Sequence, residues 1–148
     1  SLVVKFDCSQ VGRLYGKPLI SRIGSINLPR QQEETLAFIS GKIGELCPAG
    51  KRIYIALVTY AHLSFFAERA GLPPYPQGLL ACTAPQRAEV LEAMEREKPP
   101  VALISEESLD VPYKEEHAEE WAYIQKHYRL HATMRELYIY VRKAEGGK

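Results

Sequence analysis

The sequence has no run of apolar residues long enough to cross a bilayer, which takes about 18–20; the longest, residues 53–61, is far shorter and contains Thr59. No signal peptide is recognisable at the start. Neither sign of charge is in excess: 19 Lys and Arg stand against 18 Asp and Glu, a formal net charge of +1. A nucleic-acid binder carries a strong basic surplus, often interleaved with exposed aromatics, so that class is set aside. Cysteine is scarce. Cys8, Cys47 and Cys82 include no C-x-x-C pair, and an odd, scattered set builds no disulfide framework. One bridge among them stays open in an oxidising compartment, and three buried thiols are the plainer reading. Phosphate-cradling loops are missing as well. Neither G-x-G-x-x-G nor G-x-x-x-x-G-K-[ST] occurs, nor does the G-x-S-x-G elbow.

What remains is an ordinary globular balance, 46% apolar and 25% charged over 148 residues, enough for one domain with a real core. Charge is unevenly spread. Residues 104–120 carry Glu106, Glu107, Asp110, Glu115, Glu116, Glu119 and Glu120 against Lys114 alone, while residues 1–30 are mostly basic. Paired carboxylates can bind a hard cation, but the 106–110 spacing fits no calcium loop, and a solvated acidic face is the simpler account. The chain opens on Ser1 and passes at once into Leu2-Val3-Val4, which suggests a boundary inside a longer protein.

Patterning alternates between strand and helix. Residues 2–6 and 23–28 read as extended. Leu36, Ile39, Ile43 and Leu46 recur at helical spacing after Pro29, with Gly41 and Gly44 letting a neighbour pack closely. Residues 52–58 read as a strand that is apolar on both faces from Ile53 to Val58, which predicts a central, parallel strand. A helix follows from Thr59, closed by Gly71 and Pro73-Pro74. Residues 79–82 read as a short strand. Thr83 and Gln86 form a capping box for a helix that buries Ala84, Ala88, Leu91 and Met94. Residues 101–105 give another apolar strand. Residues 115–128 give a helix with Ala118, Trp121, Ile124 and Tyr128 inward, and a hairpin turns at Arg135-Glu136. The sum predicts one α/β domain over 1–148: three layers, a mostly parallel sheet with helices on both faces, and an antiparallel C-terminal hairpin, Rossmann-like in form.

Ligands of such sheets sit at the carboxyl ends of the strands. There the loop Thr59-Tyr60-Ala61-His62 offers hydroxyls, an imidazole and a helix N-terminus, groups that hold an anion. Thr59 serves equally as a simple helix cap, with His62 facing water. Tyr75, between Pro74 and Pro76, is a rigid aromatic suited to a sugar or membrane surface, or to plugging its loop onto the domain. Thr59, Tyr60, His62 and Tyr75 are therefore the candidate substrate-binding residues. His127 and His131 are four apart but straddle a helix end, so they do not share a face as zinc ligands must. No catalytic residue, metal site or cofactor is assigned.

Four stretches carry a family resemblance: Ile26-Asn27-Leu28-Pro29 entering a helix; residues 63–74, LSFFAERAGLPP; Lys98-Pro99-Pro100 with the apolar strand after it; and Trp121 through Tyr128 followed by Leu137-Tyr138-Ile139-Tyr140. Together they resemble the C-terminal extracytoplasmic domain of multi-spanning membrane glycosyltransferases of the GT-C class, the protein mannosyltransferase-like and aminoarabinose-transferase-like proteins. The sequence departs from the family in having Ala70-Gly71 where a basic pair often precedes the prolines. The resemblance implies an accessory domain on the extracytoplasmic face of a prokaryotic membrane, capping an active site held in the membrane-embedded remainder of the same protein. It implies a polyprenyl-phosphate-linked sugar as donor, and a role near that lipid or the acceptor. The family's catalytic acids lie between early membrane helices and match nothing here. Two other readings stand beside it: a free-standing domain binding an anion or small molecule at the Thr59 or Thr83 helix start, and a module that pairs through its edge hairpin.

Overall fold

The computed structural model describes residues 3–6, 26–57, 67–105 and 111–144. Two short strands, β1 (Val3–Phe6) and β2 (Ile26–Pro29), pair antiparallel as a separate two-stranded sheet. Helix α1 (Arg30–Leu46) starts directly after Pro29. Strand β3 (Tyr54–Ala56) follows, then a 3-10 turn at Gly78–Leu80 and helix α2 (Ala84–Glu97). Strand β4 (Val101–Ser105) leads to a short helix α3 (Val111–Glu116), helix α4 (Ala118–His127) and the hairpin of β5 (Tyr128–Met134) and β6 (Leu137–Arg142).

The main sheet has the order β3-β4-β6-β5. Only β3 and β4 are parallel; β4–β6 and β6–β5 are antiparallel. The expectation of a mostly parallel sheet is therefore corrected: the described sheet is mixed and mostly antiparallel. An apolar run on both faces marks a strand as central but does not fix its neighbours' directions. Here the place beside β4 that a parallel strand would take is filled by the hairpin strand β6.

Side-chain alternation assigns the two faces of this sheet to two cores. Val101 and Leu103 of β4 join Ile55, Ile139 and the α1 stripe Leu36, Ile39 and Ile43. Ala102 and Ile104, one residue out of phase, join Tyr54, Met94 of α2 and Ile124 of α4. All five residues of β4 are buried. Fully burying one Leu or Ile side chain is worth about 1.5–3 kcal/mol, so the two-sided strand concentrates a large share of the apolar driving force in a few residues.

Local chemistry explains most element ends. Thr83 Oγ1 accepts from the Gln86 amide at 3.4 Å, and Gln86 Oε1 accepts from the Thr83 and Cys82 amides at 3.0 Å each. This capping box starts α2 as the sequence predicts. Lys98 in the left-handed region (φ 43°) closes the same helix before Pro99 and Pro100. The hairpin turns at Arg135, also left-handed at φ 52°. Its guanidinium then reaches back to α1, donating to the Gln31 carbonyl at 3.0 Å, Thr35 Oγ1 at 2.6 Å and Glu34 at 3.1 Å. Arg135, and after it Arg30, hold the Glu34 carboxyl below its ordinary pKa.

Three local expectations are corrected. Residues 79–82 are no strand: the backbone coils into the 3-10 turn, with Gly78 close against the Tyr54 ring. In α2 the buried residues are Val90, Ala93 and Met94, whereas Ala84 and Ala88 are exposed. The expected helix 115–128 breaks at His117, so α4 buries Glu120, Tyr123 and Ile124 and turns Ala118 outward. Both helices keep a 3.6-residue stripe, rotated by about one position from the one expected.

The glycines differ in what a side chain would meet. A Cβ on Gly44 touches nothing within 4 Å, so its expected close packing is not found, whereas one on Gly71 runs into the Pro76 backbone. Gly44→Ala should therefore raise stability in urea unfolding by about 0.5–1 kcal/mol, the helix-propensity gain. Gly71→Ala should lower it by about 1–3 kcal/mol, the cost of overpacking against a neighbour that cannot rotate away.

Candidate functional site

Of the four expected binding residues, Thr59, Tyr60 and His62 lie outside the described residues, as does the acidic loop of Glu106, Glu107 and Asp110. Tyr75 is described. It is half-buried and packs on the core that contains Tyr54 and Met94, while Pro74 and Pro76 on either side are exposed. The ring thus anchors its loop to the domain and leaves the prolines at the surface. Thr83, at the other expected helix start, spends its side chain on the capping box.

The cysteines divide by position. Cys47 is buried at the end of α1 and Cys82 is exposed before α2, both as free thiols; Cys8 lies outside the described residues. Burial pushes the Cys47 thiol above its ordinary pKa, which makes it a poor nucleophile. Among the described residues no group of three or more His, Cys, Asp and Glu is placed to hold a metal ion.

The sequence reading missed one pair. His117 Nδ1 and Glu120 Oε1 lie 3.3 Å apart, and their side chains are only 5% and 1% exposed. The signal was His-x-x-Glu at a helix start, where positions three apart share a face. Chain topology places the pair. Since β5 runs parallel to β4 and α4 folds back onto β5, the first turn of α4 points toward the carboxyl end of β4, the end at which open sheets collect ligands. A carboxylate on Nδ1 fixes an imidazole's tautomer and orientation, as it does for a general base. Among the described residues Glu120 Oε2 is buried without a hydrogen bond, and a surface depression of about 610 Å³ between α2 and α4 is lined by Leu91, Glu92, Glu95, Arg96 and Tyr123. The pair thus holds the break between α3 and α4, with the carboxylate in the first turn where the helix dipole favours it.

At the other end of α4 sits a second polar cluster. The Tyr128 hydroxyl donates to the Pro99 carbonyl at 2.7 Å and the Tyr123 hydroxyl to the Met94 carbonyl at 3.4 Å. Arg142 Nη1 donates to Tyr123 at 3.1 Å and to Tyr128 at 3.5 Å. Burial pushes the Tyr128 phenol up to about 12. A phenol bound in this way stays protonated at neutral pH and works as a fixed donor, not as an acid–base group. No protein-family model, curated protein or solved structure matches the chain.

Two predictions follow from these polar groups. His117→Ala leaves the buried Glu120 carboxylate without its imidazole partner and should cost about 3–5 kcal/mol in denaturant unfolding. Adding Glu120→Leu should recover more than half of that loss, because the unpaired charge goes with it. Tyr128 supplies the other. Its ordinary pKa is 10.0 and its folded value about 12, so its stabilisation is whole below pH 10 and is lost as pH rises toward 12. The fall is about 2–3 kcal/mol over that window. Tyr128→Phe should shrink it, as read from urea midpoints measured across the alkaline range.

Proposed function

We propose that this chain is the water-exposed C-terminal domain of a multi-spanning GT-C-class glycosyltransferase, and that it contributes no catalytic residue. The domain caps an active site built by the membrane-embedded remainder of the protein, on the extracytoplasmic face. It helps admit a polyprenyl-phosphate-linked sugar or its acceptor. One observation carries this reading. Two of the four stretches that resemble the family, far apart in sequence, meet at one place: Pro99 of the third accepts from Tyr128 of the fourth, and Arg142, just past the fourth, bonds Tyr128. Motifs that serve as mutual packing partners are what a non-catalytic domain of such a protein needs.

Further support is architectural. Cores on both faces of the sheet, with a crossover from β3 through α2 to β4, are compatible with a Rossmann-like layered domain even though the hairpin makes most pairings antiparallel. No helix among the described residues is long and apolar enough to cross a membrane, so on this reading the spans belong to the rest of the protein. Residues 59–62 and Tyr75 remain the proposed contacts for acceptor or lipid-linked sugar. The alternative readings draw less support. The Thr83 helix start is occupied by its own capping box, and β5 carries a bulge between Leu130 and Ala132, a device that discourages edge pairing.

The test is sugar transfer. Membranes holding the native protein should transfer labelled sugar from a polyprenyl-phosphate donor, and deletion of residues 26–142 should abolish the transfer. The purified 148-residue chain alone should show none. Turnover by the isolated chain, or membranes indifferent to the deletion, would contradict the proposal.

A further inference from the structure

Residues 70–86 contain no charged side chain, a gap of 17 residues in a chain that is 25% charged. The segment follows the outer side of β3, from Gly71, bridged to Ile53, through the 3-10 turn that packs on the same strand, to the cap of α2. Leu72, Gly78 and Ala81 anchor it inward, while Pro74, Pro76, Leu80 and Cys82 face out. At 59% exposure Leu80 is the most exposed large apolar residue among those described.

Arginines flank the segment: Arg69 and Arg87 bound it in sequence, with Glu68 and Glu89 just outside them, and Arg52 bonds into it. The guanidiniums of Arg52 and Arg87 bond the Gly71 and Cys82 carbonyls, at 3.0 and 2.8 Å, and that of Arg69 bonds the Cys47 carbonyl. Among the described residues none of these three arginines is in salt-bridge range of a carboxylate, whereas Arg30, Arg96 and Arg135 all are. The three guanidiniums are held in place by neutral backbone acceptors.

We propose that residues 70–86 form the surface by which this domain docks on an anionic lipid bilayer. The inference rests on the membrane-protein reading above. Three features favour lipid over a protein partner. Pro73, Pro74, Pro76 and Pro85 carry no N–H, so four of the segment's 17 residues bring no backbone donor to desolvate when it meets an apolar medium. For the same reason the segment cannot extend a sheet with a partner strand. Arginines held by neutral acceptors beside an apolar segment match the negative headgroup potential, worth about 1 kcal/mol per basic residue near the surface. Leu80 and the prolines then enter the headgroup boundary, and Tyr75 stands behind them at the depth where aromatic rings collect.

The experiment is co-sedimentation of the 148-residue chain with vesicles of phosphatidylethanolamine and phosphatidylglycerol, and with phosphatidylcholine alone. Wild type should bind the anionic vesicles, bind phosphatidylcholine far less, and release as salt is raised. Leu80→Glu, at an exposed position that the fold does not need, should weaken binding by about tenfold or more. Leu130→Glu, at the exposed leucine of the opposite edge strand, should change little. A wild type that stays in the supernatant, or equal losses in both variants, overturns the proposal. So do concentration-dependent dimers that Leu80→Glu disperses, since the tract would then serve a protein contact. If sugar transfer still requires residues 26–142 while vesicles go unbound, only the docking surface falls and the glycosyltransferase reading stands.

Discussion

The fold depends on burying both faces of β4 at once. A five-residue strand that is buried at every position, with apolar side chains at the first four, is satisfied between two helical covers, and the chain supplies one from each side in sequence. Helix α1 comes before β3 and covers one face; α2 and α4, on either side of β4 in sequence, cover the other. The hairpin completes the sheet, its strand β6 pairing with all of β4 from Val101 to Ser105. Polar groups are fitted around this arrangement. Arg135 ties the hairpin turn to the start of α1, and Tyr128 ties the start of β5 to the approach to β4.

That constraint also shapes what the domain offers to a ligand. The most chemical-looking groups, the His117–Glu120 pair and the Tyr123–Tyr128–Arg142 cluster, sit at the two ends of α4 and are spent on joining elements. A buried imidazole with an oriented carboxylate has half the anatomy of a general base. The pair fastens a helix start. The same economy appears at Thr83, whose side chain closes a cap.

Much of the fold was legible in the residues. The capping box at Thr83, the helical stripe of Leu36, Ile39 and Ile43, and the hairpin turn at Arg135-Glu136 are local signals, and each stands where it was read. What misled were signals that depend on distant partners. Strand direction was one, because an apolar strand looks the same beside a parallel or an antiparallel neighbour. The buried stripes of α2 and α4 were another: an alanine such as Ala88 suits either face, and the break at His117 reset the phase of the second helix. The site was less legible still. His117 was visible as a histidine, but the spacing to Glu120 reads as a buried pair only once the helix is known to begin there. Tyr75 stands out in the sequence for its prolines, and its half-buried ring packs against the core that contains Tyr54.

The account's central claim is that this domain works as part of a much larger protein held in a membrane. The most direct measurement is the size and cellular fraction of the native polypeptide, detected with an antibody raised against the folded 148-residue chain. The account predicts a band several times larger than this chain, retained in the membrane fraction after salt washing and released only by detergent. A band of the chain's own size in the soluble fraction would contradict it.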